Sequence, residues 1–155
     1  MRIHLLAVGQ RMPAWVSEAY EEYAKRLPRE CSLILREIAP GKRGRNADIL
    51  KIKEEEGERI LAALSRDTHV VALDVSGKLW STEELAQDIS QWLQQGRDIA
   101  VLIGGPDGLS AEVLQHANER RSLSRMTFPH PLVRVIMAEQ IYRAWTVLNH
   151  HPYHL

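Results

Sequence analysis

The chain has 155 residues, 45% of them hydrophobic and 26% charged, and its 20 basic and 20 acidic side chains cancel to a formal net charge of zero. That length suits a single domain, residues 1–155, with a substantial core, and the ordinary composition excludes a fibrous or disordered chain. Zero net charge gives no global signature of nucleic-acid binding, and the lone Cys31 excludes a disulfide framework or a cysteine-rich metal site.

Arg2 to Val8 alternates and predicts a strand. It is too short for a secretory leader. With one cysteine and no long apolar run, the expected compartment is the cytoplasm and no membrane span is expected. Pro13 opens a helix whose stripe is Val16, Ala19, Tyr20, Tyr23, Ala24 and Leu27, and Pro28 stops it. Ser32 to Ile38 is a second strand. A basic, Gly-rich loop carries Lys42, Arg43 and Arg45, and Asn46 is placed to cap a helix reaching Leu64. His69 to Asp74 is a third strand, followed by a Gly77-Lys78 turn. Ser81 and Glu84 form a capping box for a helix that Gly96 ends.

Asp98 to Ile103 is the next apolar strand, and Ser110 caps a short helix. Leu123 to Phe128 is a final strand or extended segment. A last helix runs from Pro131 to Asn149 with the stripe Val133, Ile136, Met137, Gln140, Ile141, Ala144, Trp145 and Leu148, which suits a core or a dimer interface. Alternating strands and helices imply an α/β fold, a mostly parallel sheet covered on both faces. The runs 69–74 and 98–103 are its expected central strands.

Between the strand ending at Ile103 and the helix capped by Ser110 lies Gly104-Gly105-Pro106-Asp107-Gly108. Two readings stand for it. Pro-Asp-Gly is a turn sequence, and a glycine corner beyond a strand's carboxyl end is where an α/β protein binds a ligand. The loop fits neither G-x-G-x-x-G nor G-x-x-x-x-G-K-[ST], so a common dinucleotide fold and a P-loop NTPase are both poorly supported. Two further basic groups, Lys42/Arg43/Arg45 and Arg120/Arg121/Arg125, are either solvated faces or phosphate contacts.

Five segments together resemble one family. They are Gly41-Lys42-Arg43-Gly44-Arg45-Asn46-Ala47-Asp48, Leu73-Asp74, Leu102 to Ser110, Leu123 to His130, and Tyr142-Arg143-Ala144-Trp145 with His151-Pro152-Tyr153-His154. In order and at matching length, they are similar to the RlmH-type methyltransferases of the SPOUT class. The resemblance implies a C-terminal trefoil knot, a rare exception to ordinary chain topology. It also implies a homodimer and S-adenosylmethionine as cofactor. The implied activity is methylation of N3 of a pseudouridine in large-subunit (23S) ribosomal RNA, on the assembled ribosome.

Carried over residue by residue, the resemblance makes Leu73, Gly104, Leu123, Ser124, Arg125, Met126, Thr127 and Phe128 the expected cofactor-binding set. Without it, Leu123 to Phe128 reads as a buried edge strand. The expected catalytic set is His154, Tyr153, Arg143 and His130. His154, or else His130, would take the N3 proton. Arg143 would stabilise charge on the base's carbonyls, and Tyr153 would stack on the base or hydrogen-bond to it. The tail ends in Leu155, where the family commonly has a basic residue. Read without the family, the tail is a frayed terminus or a His-rich metal tract; no metal is expected, because Pro152 breaks the helical spacing that ligands would need. Arg134 and Arg143 are either solvated or paired with Glu139. Lys42, Arg43 and Arg45 would contact RNA phosphate in a salt-dependent way. The rivals are a non-enzymatic ribosome- or RNA-binding protein that keeps the fold, and a metal-dependent nucleotide hydrolase.

Overall fold

A computed structural model describes residues 1–155. Five strands form one parallel sheet in the order β2-β1-β4-β3-β5: β1 (Arg2–Val8), β2 (Ser32–Ile38), β3 (His69–Leu79), β4 (Ile99–Ile103) and β5 (Glu119–Ser122). The helices are α1 (Ala14–Ala24), α2 (Ile49–Ala63), α3 (Thr82–Gln95), α4 (Ala111–His116) and α5 (His130–Leu148). Short 3-10 turns occupy Arg29–Cys31 and Pro152–His154.

The two-residue period of the strands sorts their side chains into two cores. Ile3, Leu5, Ala7, Val71, Ile99, Val101 and Ile103 face α1, α3 and α5, against Tyr20, Leu85, Ile89, Trp92, Met137 and Ile141. Leu6, Val8, Val70, Ala72, Ala100 and Leu102 face the other way, onto Ile60, Leu109 and Val113 of the α2 and α4 side. Every β4 residue is buried, as expected for the middle strand of a doubly covered parallel sheet. Helix α5 packs against both α1 and α3.

Local signals account for several boundaries. The Ser81 hydroxyl accepts from the Glu84 N–H at 3.0 Å, and Gly96 closes α3 at φ +71°. Ser110 caps α4 by accepting from the Val113 N–H at 3.3 Å.

The expected central strands are found: β4 is the middle of the sheet and β3 lies directly beside it, with β1 on the other side. The structure corrects three expectations. Asp48, not Asn46, caps α2, accepting from the Lys51 N–H at 3.3 Å. Gly77-Lys78 is not a turn: β3 bulges between Leu73 and Lys78, which both face Arg121, and then continues to Leu79. Gly77 permits this, because a Cβ there would stand 2.7 Å from the Arg121 nitrogen. The last strand is Glu119–Ser122, and Leu123 to Phe128 is an irregular segment after it. The polar Glu-Arg-Arg-Ser sequence hides that strand from an apolar pattern. Its Arg121 is held by Glu84, Asp88 and Glu119 at 3.3 to 3.4 Å.

Candidate active site

Beyond the carboxyl ends of β3, β4 and β5 lies a cleft of about 610 Å³, within the range of small-molecule sites. Leu73, Asp74 and Val75 line it from β3, Ile103 to Gly108 from the loop after β4, and Arg121 to Ser124 from the end of β5. Met126 to His130 and Val133 close it from the approach to α5. The glycine loop is a turn, and it also forms one wall of the cleft. The Gly108 N–H donates to the Gly105 carbonyl at 3.0 Å, with Gly108 at φ +82°. Gly104 sits so close to the returning chain that a Cβ would lie 2.6 Å from the Gly108 carbonyl carbon.

Of the eight residues expected at the cofactor, Leu73, Gly104, Leu123, Ser124, Met126, Thr127 and Phe128 line this cleft. Arg125 does not; its side chain is exposed, where its charge stays hydrated. Serines shape the segment locally. The Ser122 hydroxyl donates to the Ser124 carbonyl at 2.8 Å, and the Ser124 hydroxyl accepts from the Met126 N–H at 3.0 Å. Sequence reasoning missed Val75, Arg121, Ser122 and Val133 as lining residues. Val75 belongs to the β3 bulge, which periodicity does not signal.

The four expected catalytic residues fall into two places. His130 lines the cleft, and its Nδ1 is buried with no hydrogen-bond partner. Arg143 and Tyr153 meet instead at Glu139 on α5. The Glu139 Oε2 accepts from the Tyr153 hydroxyl at 2.6 Å and from Arg143 Nε at 3.1 Å. Burial pulls the Glu139 carboxyl up, but hydrogen bonds from Tyr153, Arg143 and Gln140 together hold it below the usual carboxylate range. The Arg143 guanidinium lies 5.0 Å from the Tyr153 ring centroid, a cation–π distance.

His154 belongs to the same folded-back tail, with its Nδ1 buried and unpartnered. The tail is therefore not frayed. Nowhere do three His, Cys, Asp or Glu side chains converge as metal ligands. Glu139 lies nine residues beyond His130, about 13 Å along α5 at ~1.5 Å per residue, and none of Arg143, Tyr153 and His154 lines the cleft of its own chain.

A family model described as a predicted SPOUT methyltransferase matches residues 1–154. The chain belongs to this family. It is 66% identical over 154 residues to the ribosomal RNA large subunit methyltransferase H of Methylococcus capsulatus, covering 99% of each chain. The proteins of the same name from Thioalkalivibrio sulfidiphilus and Hahella chejuensis are 58% and 55% identical, each again over 99% of both chains. No helix is long and apolar enough to cross a membrane.

In this SPOUT methyltransferase two arginines have partners that the sequence did not suggest. Arg143 pairs with Glu139 as anticipated, but Arg134 does not. Its Nη1 donates to Glu37 at 2.7 Å and its Nη2 to the Gly9 carbonyl at 2.9 Å, and it is 1% exposed. Arg43, expected on phosphate, pairs with Glu56 and Asp107 although its side chain stays 27% exposed; Lys42 and Arg45 are exposed too.

His130 has a consequence for stability. Burial, and then the charges of Arg134 and Arg43, push its pKa below the ordinary 6.5, against a weaker opposite pull from Glu56. An unfolded chain takes up a proton near 6.5 that the folded chain refuses until lower pH. Stability therefore falls on acidification below that point and levels off once the folded His130 also titrates. His130→Gln is expected to shrink the loss of Tm between about pH 7 and about pH 5. An unchanged difference in thermal melts would mean that His130 does not carry it.

Proposed function

We propose that the protein methylates N3 of a pseudouridine in large-subunit ribosomal RNA, taking the methyl group from S-adenosylmethionine and acting on the assembled ribosome in the cytoplasm. The observation that carries this reading is full-length identity of 66% to a protein named for large-subunit ribosomal RNA methylation. The family further implies a C-terminal trefoil knot and a homodimer.

The cleft fits the cofactor on its own geometry. Gly104 lets the Gly108 backbone close against the end of β4, where a Cβ would strike it, and this sets the turn whose peptide groups would meet the edge of an adenine ring. Leu73, Ile103, Leu123 and Phe128 supply apolar wall for its faces. When bound, S-adenosylmethionine supplies a methyl group already activated by its sulfonium, and that chemistry belongs to the cofactor.

The chain's own residues then orient the base and handle its N3 proton. His130, whose ring lines the cleft, is one acceptor for that proton. His154 is the alternative acceptor. Arg143 offers positive charge to the base's carbonyls, and Tyr153 offers an aromatic face. Because these tail groups lie about 13 Å along α5 from His130, the reading assigns them to the cleft of a second copy. Lys42 and Arg45 would contact phosphate.

The test is transfer of labelled methyl to ribosomes lacking the modification, followed by mapping of the modified base. In single-turnover transfer, His154→Ala and Tyr153→Phe are each expected to slow the reaction about 10²-fold, the usual contribution of a positioned proton-transfer group or donor. If both retain the wild-type rate, the tail has no catalytic part.

A further inference from the structure

Arg43 lies in the basic loop between β2 and α2, yet its guanidinium binds two carboxylates of its own chain. Nη1 and Nη2 donate to the two Glu56 oxygens at 2.9 and 3.3 Å, and Nε donates to Asp107 at 3.1 Å. Glu56 is 2% exposed and also accepts from the Gly41 N–H at 2.9 Å. A buried carboxylate is costly unless paired and hydrogen-bonded, so Glu56 fixes Arg43 firmly. At the other end, Asp107 is part of the Gly105–Gly108 turn that walls the cleft.

The helix carrying Glu56 is seated on the same loop. Gly57 lets α2 approach the α4 cap so closely that a Cβ would stand 2.4 Å from the Ser110 hydroxyl. A Cβ on Gly105 would meet Arg43 Nη2 at 3.3 Å and Glu56 Oε1 at 3.4 Å. The turn is thus braced from behind by α2, through one arginine.

We propose that Arg43 is a positioning residue for the cofactor turn. Held by Glu56, it anchors Asp107 and fixes the peptide groups of Gly105 to Gly108 that face the adenosine part of the methyl donor. The inference rests on reading the cleft as the S-adenosylmethionine site. It makes Asp107 an anchor of the turn rather than a direct ligand of ribose hydroxyls, and it leaves the loop's phosphate contacts to Lys42 and Arg45. Arginine is required because its planar fork bridges two carboxylates at once, which the point charge of lysine does not.

The experiment is calorimetric titration of S-adenosylhomocysteine into wild type, Arg43→Lys, Asp107→Asn and the double variant. Arg43→Lys keeps a positive charge beside Glu56, so the buried carboxylate is not left unpaired. Each single variant is expected to raise Kd about tenfold with thermal melting close to wild type. The double variant should be no weaker than either single, because both remove one link. In methyl transfer, KM for S-adenosylmethionine should rise while kcat at saturation holds. An unchanged Kd in Arg43→Lys overturns the proposal, as does an Asp107→Asn effect that adds to that of Arg43→Lys, which would make Asp107 a direct ligand. Wild type that fails to bind S-adenosylhomocysteine overturns the cofactor reading together with this one. Wild-type binding with unaltered variants overturns this one alone.

Discussion

Gly104→Ala is expected to weaken cofactor binding about a hundredfold, an amount within the ~1–3 kcal/mol that overpacking costs. The added Cβ would lie 2.6 Å from the Gly108 carbonyl carbon, 2.8 Å from the Leu109 nitrogen and 2.9 Å from the Gly108 oxygen. All three are backbone atoms, so no side-chain rotation relieves the clash. Two segments compete to move. The end of β4 is locked between β1 and β3 and wholly buried. The turn is held by one internal hydrogen bond, from the Gly108 N–H to Gly105, and by the half-exposed Arg43 contact to Asp107, far less than the paired strand. The turn should therefore give way, which displaces the wall of the cleft while the sheet survives. Calorimetry with S-adenosylhomocysteine reads the first effect, and thermal melting checks the second. Gly44→Ala is the control, since nothing lies within 4 Å of a Cβ there. Near-wild-type affinity in Gly104→Ala would show that the turn does not set cofactor binding.

Arg134→Ala is expected to cost about 3 kcal/mol of folding stability, the scale for breaking a buried, hydrogen-bonded charge pair and leaving a cavity. The guanidinium joins the first turns of α5 to the end of β1 through the Gly9 carbonyl, and to the end of β2 through Glu37. After truncation the Gly9 carbonyl loses that donor. The Glu37 side chain is 37% exposed and regains water, which limits the loss. Arg134→Met restores most of the volume but not the donor, so it should cost about half as much. Denaturant unfolding of the three proteins separates packing from polar loss. A cost below about 1 kcal/mol for Arg134→Ala would mean that the pair is nearly neutral.

Both predictions concern contacts that sequence pattern does not show. Strands β1 and β2 are legible residue for residue because each is a short apolar-rich run bounded by turn or proline signals. Strand β5 is not, since Glu119 to Ser122 is polar and its arginine is satisfied by carboxylates from α3 and from β5 itself. The apolar segment after it looked more strand-like but lines the cleft. The α2 cap is ambiguous in sequence because Asp48 competes with Asn46 two positions earlier, and local propensity barely separates Asn from Asp. The cleft residues came from a resemblance carried residue by residue, not from periodicity. In sequence Arg43 reads as a phosphate contact because its carboxylate partners are 13 and 64 residues away. Arg134 illustrates the same limit, with partners 97 and 125 residues away. Distant pairings become visible only when the sheet brings the strand ends together.

The strand order also constrains how the chain is made. β1 is synthesised first, but one of its two edges pairs with β4, from Ile3 opposite Ile99 to Ala7 opposite Ile103. Until β4 emerges, β1 can pair only with β2, and its other row of peptide groups stays open, an edge that other chains could join. β3 likewise waits for both β4 and β5. Closing such distant parallel pairs is slow. Folding of this enzyme is thus a late, cooperative event in translation, triggered when the Ile99–Ile103 segment is delivered to the middle of the sheet.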